Sequence, residues 1–178
     1  MCCVFPEGKT TCIRGRSGCG KTTLIRLLLG LDIPDKGKIE GISDRKISAV
    51  FQEDRLCENL SAASNIRLVC TETISDRELE EAYKAVALTE VWQKPVRELS
   101  GGMRRRVSIL RALLADSDCV IMDEPLRGLD EKTRTKTIDY ILKKTEGKTV
   151  IFVTHEEQEA VRLKADKTLK FMKDHLIK

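Results

Sequence analysis

Gly15-Arg16-Ser17-Gly18-Cys19-Gly20-Lys21-Thr22, with Thr23 directly after it, decides how the rest of the chain is read. The apolar run Thr11-Cys12-Ile13 precedes this stretch and Leu24-Ile25…Leu27-Leu28-Leu29 follows it, which places the loop between a strand and a helix. Its glycines let the backbone fold closely around an anion, so that consecutive N–H groups and the start of the next helix point at phosphate oxygens. Lys21 is then placed to reach the β- and γ-phosphates of a nucleotide, and the Thr22 hydroxyl to hold Mg²⁺. The competing reading, a glycine-rich surface turn, leaves the flanking strand and helix unexplained.

Composition narrows the class around that loop. The 178 residues suffice for one sizeable core and fall short of two ordinary domains with a linker. Hydrophobic residues at 41% and charged residues at 34% are globular rather than disordered usage. No apolar stretch approaches the roughly 18–20 residues of a membrane span, and no basic-then-apolar leader opens the chain, so a cytoplasmic protein is expected. A net charge of +4 is too mild to argue for a nucleic-acid partner. The one basic cluster, Arg104-Arg105-Arg106 with Arg111, lies in a helical pattern and is read as a solvated face beside a core stripe. Seven cysteines form no Cys-x-x-Cys pair and lie far from the two histidines, which argues against zinc.

Strands and helices alternate along the chain, the grammar of a layered α/β domain. Strands are expected near 9–14, 47–51, 119–122, 149–153 and 167–172, and helices near 21–30, 103–115, 131–145 and 156–164. Strands that are continuous apolar runs, such as Cys119-Val120-Ile121-Met122, suit a mainly parallel sheet covered on both faces. Residues 53–97 change character and look mostly helical; Ser75-Asp76-Arg77-Glu78 reads as a capping box ahead of apolar Leu79, Ala82 and Val86. The expected organisation is a phosphate-loop core made of 1–52 and 98–178, with 53–97 as an inserted helical subdomain.

Two further groups converge on the same sheet edge. Asp123 and Glu124 emerge at the end of the 119–122 strand, where Asp123 is placed to hold a metal through its water shell and Glu124 to polarise an attacking water. His155 follows the 149–153 strand and Thr154. It can approach the γ-phosphate from another side, donating to it or fixing the water and Glu124.

Leu99-Ser100-Gly101-Gly102-Met103, with the helix Arg104-Arg105-Arg106-Val107-Ser108-Ile109-Leu110-Arg111-Ala112-Leu113, closely resembles the signature segment of ABC-transporter ATPases. Physically it is a Gly-Gly turn and a helix N-terminus carrying a serine, a second anion-binding device. The resemblance covers essentially the whole chain and implies a P-loop NTPase fold with ATP and Mg²⁺ as ligands. It also implies a head-to-tail dimer in which ATP lies between the loop of one copy and Ser100, Gly101 and Gly102 of the other. Gln52 resembles the Q-loop glutamine that contacts metal or water, Asp123-Glu124-Pro125 the Walker B end, Leu129-Asp130 the D-loop, and Thr154-His155 the switch histidine. By the same likeness residues 53–97 dock an integral-membrane permease, and the protein is peripheral to the inner face of the cell membrane. Phe51-Gln52-Glu53-Asp54-Arg55-Leu56 is similar to the subgroup serving nitrate, sulfonate and taurine importers, so transport-coupled ATP hydrolysis driving import is the expected function.

Departures from the family pattern are also legible. The adenine-stacking aromatic of the family lies farther upstream than the 20 residues that precede Lys21, so a short form without that element and its strand is expected, with weak discrimination of ATP from GTP. The end of the chain near the last strand is read as leaving no regulatory domain. Met103 stands where the family usually has glutamine, and Arg127 where it often has a small residue. These departures keep an alternative open: a nucleotide-binding regulatory module with little or no turnover.

Overall fold

The computed structural model describes residues 2–42, 44–89, 91–172 and 175–177. The chain forms two compact units, one of Met1–Ala49, Ser117–Glu124 and Gly147–Lys178, the other of Val50–Asp116 and Pro125–Glu146.

A six-stranded sheet organises the first unit. Its strands are β1 (Thr10–Gly15), β2 (Ile47–Val50), β3 (Cys119–Asp123), β4 (Thr149–Val153), β5 (Lys167–Met172) and β6 (His175–Ile177), in the spatial order β2-β3-β4-β1-β5-β6. β1 runs parallel to both β4 and β5, and β3 parallel to β4, with Cys12 opposite Phe152 and Ile121 opposite Ile151. Every residue of β3 is buried, as are the last four of β4, which is why both read as unbroken apolar runs. On one face Ile13, Cys119, Ile121, Ile151 and Val153 pack against Leu24, Ile25 and Leu28 of helix α1 (Lys21–Leu28). Fully burying one such side chain stabilises by about 1.5–3 kcal/mol, so this helix is fixed to the sheet directly after the loop that precedes it. A short helix, Glu157–Arg162, links β4 to β5.

The second unit is helical. It contains α2 (Ala62–Arg67), α3 (Asp76–Ala85), a 3-10 turn (Val96–Glu98), α4 (Gly101–Leu114) and α5 (Glu131–Lys144). Ser75 caps α3 as a full capping box with Glu78, as the sequence predicts. Tyr83, Leu79 and Val107 are almost wholly buried here, and Tyr83 is a packing residue. The second unit groups α4 and α5 with the helices of 53–97, whereas the sequence pattern groups them with the phosphate-loop core.

Two differences from the sequence reading have physical reasons. β6 pairs antiparallel with β5, Phe171 opposite Leu176, and a three-residue edge strand leaves too short a pattern to detect. The basic run of α4 is not a solvated face: Arg105 is buried, and Arg106 and Arg111 donate to backbone carbonyls within the unit. A guanidinium enters a protein interior when carbonyls and a carboxylate satisfy its donors, which residue type alone does not announce.

Candidate functional site

Parallel strands end on one edge, and β1, β4 and β3 are neighbours, so whatever follows them is gathered there. After β1 comes the loop 15–20. Gly15 is required sterically, because a Cβ there would lie 2.4 Å from the Phe171 carbonyl oxygen and 2.8 Å from Cys19 Sγ. Gly20, at φ +102°, is the N-cap of α1 and has no side chain with which to cap it. The first amides of α1 are thus left for an outside acceptor, the requirement of an anion site.

Lys21 is 8% exposed, and its ammonium donates to the Gly15 and Arg16 carbonyls at 2.8 and 2.9 Å, with Cys19 Sγ at 3.9 Å. These neutral acceptors keep the charge satisfied over the loop, and a phosphate oxygen is a stronger partner for it. Arg16, Ser17, Gly18, Thr22 and Thr23 are exposed around the loop.

From the end of β3, buried Asp123 accepts a hydrogen bond from the Thr22 hydroxyl at 2.9 Å. One hydroxyl and one carboxylate suit Mg²⁺, which keeps waters and takes substrate phosphates rather than an all-protein cage. The residues present therefore fit the ion.

Glu124 follows at φ +46°, in the left-handed region, with its N–H donating to the Val153 carbonyl at 2.9 Å. That conformation is costly for a residue with a Cβ and turns the side chain out of the strand's alternation. Its Oε1 lies 3.1 Å from His155 Nδ1. The carboxylate can only accept, so Nδ1 carries the proton between them. Beside His155, the buried Thr154 hydroxyl donates to the Glu159 carboxylate and accepts from the Glu156 N–H, which fixes the backbone bearing the imidazole. Glu159 is a supporting residue that sequence reading missed; its position one turn after the histidine was the only available signal.

Lys21, Thr22, Asp123, Glu124 and His155 are all in the first unit, whereas Gln52, Ser100, Gly101, Gly102 and Asp130 are in the second. Gln52 is exposed in an irregular segment. Ser100 caps α4, its Oγ accepting from the Met103 N–H at 3.3 Å, and stands exposed with Gly101 at the helix start. Asp130 caps α5 by accepting from the Thr133 N–H at 3.0 Å, and that backbone hydrogen bond holds its carboxyl below the ordinary carboxylate pKa.

Comparison with known proteins bears on the family and the fold. Residues 3–127 match the family model described as ABC transporter. A taurine import ATP-binding protein of Roseobacter denitrificans is 36% identical over 170 residues, spanning 88% of this chain and 63% of the relative. An aliphatic sulfonates import ATP-binding protein of Rhizobium johnstonii is 38% identical over 180 residues, spanning 93% and 64%. The chain thus spans a little under two thirds of the length of these relatives. A dimeric structure of a bacterial ABC transporter cassette superposes with a TM-score of 0.84 at 29% identity, covering 99% of this chain and 88% of that one. A dimeric post-hydrolysis state of an ATP-binding cassette, bound to ADP and Pi, gives 0.83 at 28% identity with the same coverage.

Proposed function

Because the chain belongs to the ABC transporter ATP-binding family, we propose that it binds ATP at the loop 15–23 and hydrolyses it in a Mg²⁺-dependent reaction that drives solute import. The observation that carries this reading is the convergence of Lys21, the Thr22–Asp123 pair and the Glu124–His155 pair in one unit, at the ends of adjacent parallel strands. Loop amides and Lys21 take the phosphate oxygens, the lysine exchanging its two carbonyl partners for them. Thr22 and Asp123 would hold Mg²⁺, which when bound would supply charge neutralisation at the nucleotide phosphates; the family likeness implies Gln52 as a further metal contact. Glu124 accepts the proton of the attacking water, and His155 holds its carboxylate in place through Nδ1.

The second anion device, Ser100-Gly101-Gly102 at the start of α4, acts on the nucleotide of a second copy in a head-to-tail dimer, with Asp130 at the same junction. The dimeric cassettes to which the fold is similar support that assembly. The two import relatives favour an organic sulfonate, taurine included, as the class of transported solute. An integral-membrane permease is the partner, docked by the helical subdomain 53–97, and it holds the chain at the inner face of the membrane. No helix among the described residues is itself long and apolar enough to cross a membrane.

The test is the Glu124→Gln variant. Loss of a general base costs about 10²–10⁴-fold in rate, so phosphate release falls by that factor while ATP binding persists and ATP-dependent dimers accumulate on size-exclusion chromatography. Unchanged turnover in the variant refutes the assignment.

A further inference from the structure

The Arg105 guanidinium, the side chain of which is 5% exposed, reaches two segments of the second unit at once. Its Nε–H donates to the Pro125 carbonyl at 3.0 Å, and Nη1 donates to the Phe51 carbonyl and to Asp54 Oδ1, the latter at 3.3 Å. Phe51 directly precedes Gln52, and Pro125 directly follows Glu124. A second arginine of the same helix continues the hold: Arg111 donates to the Arg55 carbonyl at 2.8 Å and to the Asp54 carbonyl at 3.2 Å. The segment 51–55 lies outside any helix or strand, so its carbonyls have no ladder partners, and α4 supplies them.

We propose that Arg105 is a positioning residue that joins the chain ahead of Gln52 to the chain leaving Glu124, making both follow the helix that begins at Ser100. The inference rests on the ATPase reading and adds to it a residue that touches neither nucleotide nor water. Arginine is needed for a stereochemical reason. The donor to Pro125 is Nε, part-way along the side chain, where lysine carries only a methylene, and the planar fork reaches Phe51 and Asp54 from the same group. Lysine keeps the positive charge near Asp54 and loses the Pro125 bond. A displacement of the order of 1 Å in a reacting group lowers rate about 10²-fold.

The experiment compares wild type with Arg105→Lys and Arg105→Ala for steady-state phosphate release over a range of ATP concentrations. ATP affinity is titrated with Mg²⁺, and thermal unfolding is followed for each protein. The expected result for Arg105→Lys is a 10- to 100-fold lower kcat, an ATP dissociation constant within threefold of wild type, and a cooperative unfolding transition. Arg105→Ala shows at least as large a loss in kcat; if it fails to fold, the lysine variant decides alone. Wild-type kcat in Arg105→Lys overturns the proposal, as does a loss of kcat that tracks an equal loss of ATP affinity or of folded protein. A wild-type chain that neither binds ATP nor releases phosphate refutes the ATPase reading instead, so the two failures are distinct.

Discussion

Replacing Glu124 by alanine and, separately, by glycine divides its chemistry from its backbone conformation. Both variants lack the carboxylate, so both lose the 3.1 Å contact with His155 and the proposed base. They differ in how they tolerate φ +46°. A residue with a Cβ gives up about 1–2 kcal/mol in the left-handed region, and glycine gives back about 0.5–1 kcal/mol through the larger conformational entropy of its unfolded chain. The balance favours Glu124→Gly over Glu124→Ala by about 0.5–1 kcal/mol. For a chain of this size 1 kcal/mol moves the melting temperature by about 2–4 °C, so the glycine variant melts about 1–4 °C above the alanine variant.

Circular dichroism melts without nucleotide, run beside phosphate-release assays on the same preparations, read the two effects separately. Turnover is about 10²–10⁴-fold below wild type in both variants. A glycine variant that melts no higher than the alanine variant refutes the strain argument. Turnover within tenfold of wild type in either variant refutes the role of the carboxylate. The expected pattern, a glycine variant more stable than the alanine variant with activity lost in both, separates backbone strain at this position from the work of its carboxylate.

Two further outcomes follow from the local geometry. Just beyond α3 stands Ala87 at φ +55°, its N–H donating to the Lys84 carbonyl at 3.1 Å while the Leu88 N–H donates to the Tyr83 carbonyl at 2.8 Å, a Schellman turn without its glycine. Ala87→Gly should raise stability by about 0.5–1 kcal/mol in denaturant titration, and a lower midpoint would count against this account. Burial pushes the Cys12 thiol up to about 12 and the Cys119 thiol up to about 11, so at pH 8 both remain almost wholly protonated and unreactive. Iodoacetamide labelling of the native protein, mapped by mass spectrometry, should modify exposed Cys2 and Cys57 and spare Cys12 and Cys119 until denaturant is added; native-state labelling of Cys12 at the rate of Cys57 would overturn it.

How much the sequence disclosed depended on whether a feature leaves a local pattern. β3 and β4 were legible because both faces are buried and, Asp123 and Thr149 at their ends apart, every position is apolar. The site of the first unit was legible for a related reason: its residues sit at or just after strand ends or at the start of the helix that follows β1, and parallel topology brings strand ends together without further information. β6 was not legible, because three residues at a sheet edge owe their structure to β5 rather than to their own pattern. Arg105 was misread because two neighbouring arginines made the run look solvated, while its acceptors at 51, 54 and 125 are distant in sequence. The left-handed conformations of Glu124 and Ala87 were equally hidden, since neither position carries the glycine that usually announces one.

The two anion devices are built differently, and the difference orders their work. At α1 the N-cap is a glycine, the first-turn amides have no side-chain cap, and a lysine is held beside them by neutral carbonyls. That arrangement supplies several donors and a full charge, so it can bind a polyphosphate by itself. At α4 the Ser100 oxygen already accepts from the Met103 N–H, so what this device offers a phosphate is the Ser100 O–H, the Gly101 and Gly102 amides and the helix dipole, without a buried lysine like Lys21. A dipole contribution of about 0.3–1 kcal/mol is too small to hold a nucleotide alone. On the proposed mechanism, ATP therefore binds first to the loop at 15–23, and Ser100 of a second copy engages a phosphate already in place. Replacing Ser100 should then weaken dimer formation and turnover while leaving the affinity of the single chain for ATP nearly unchanged.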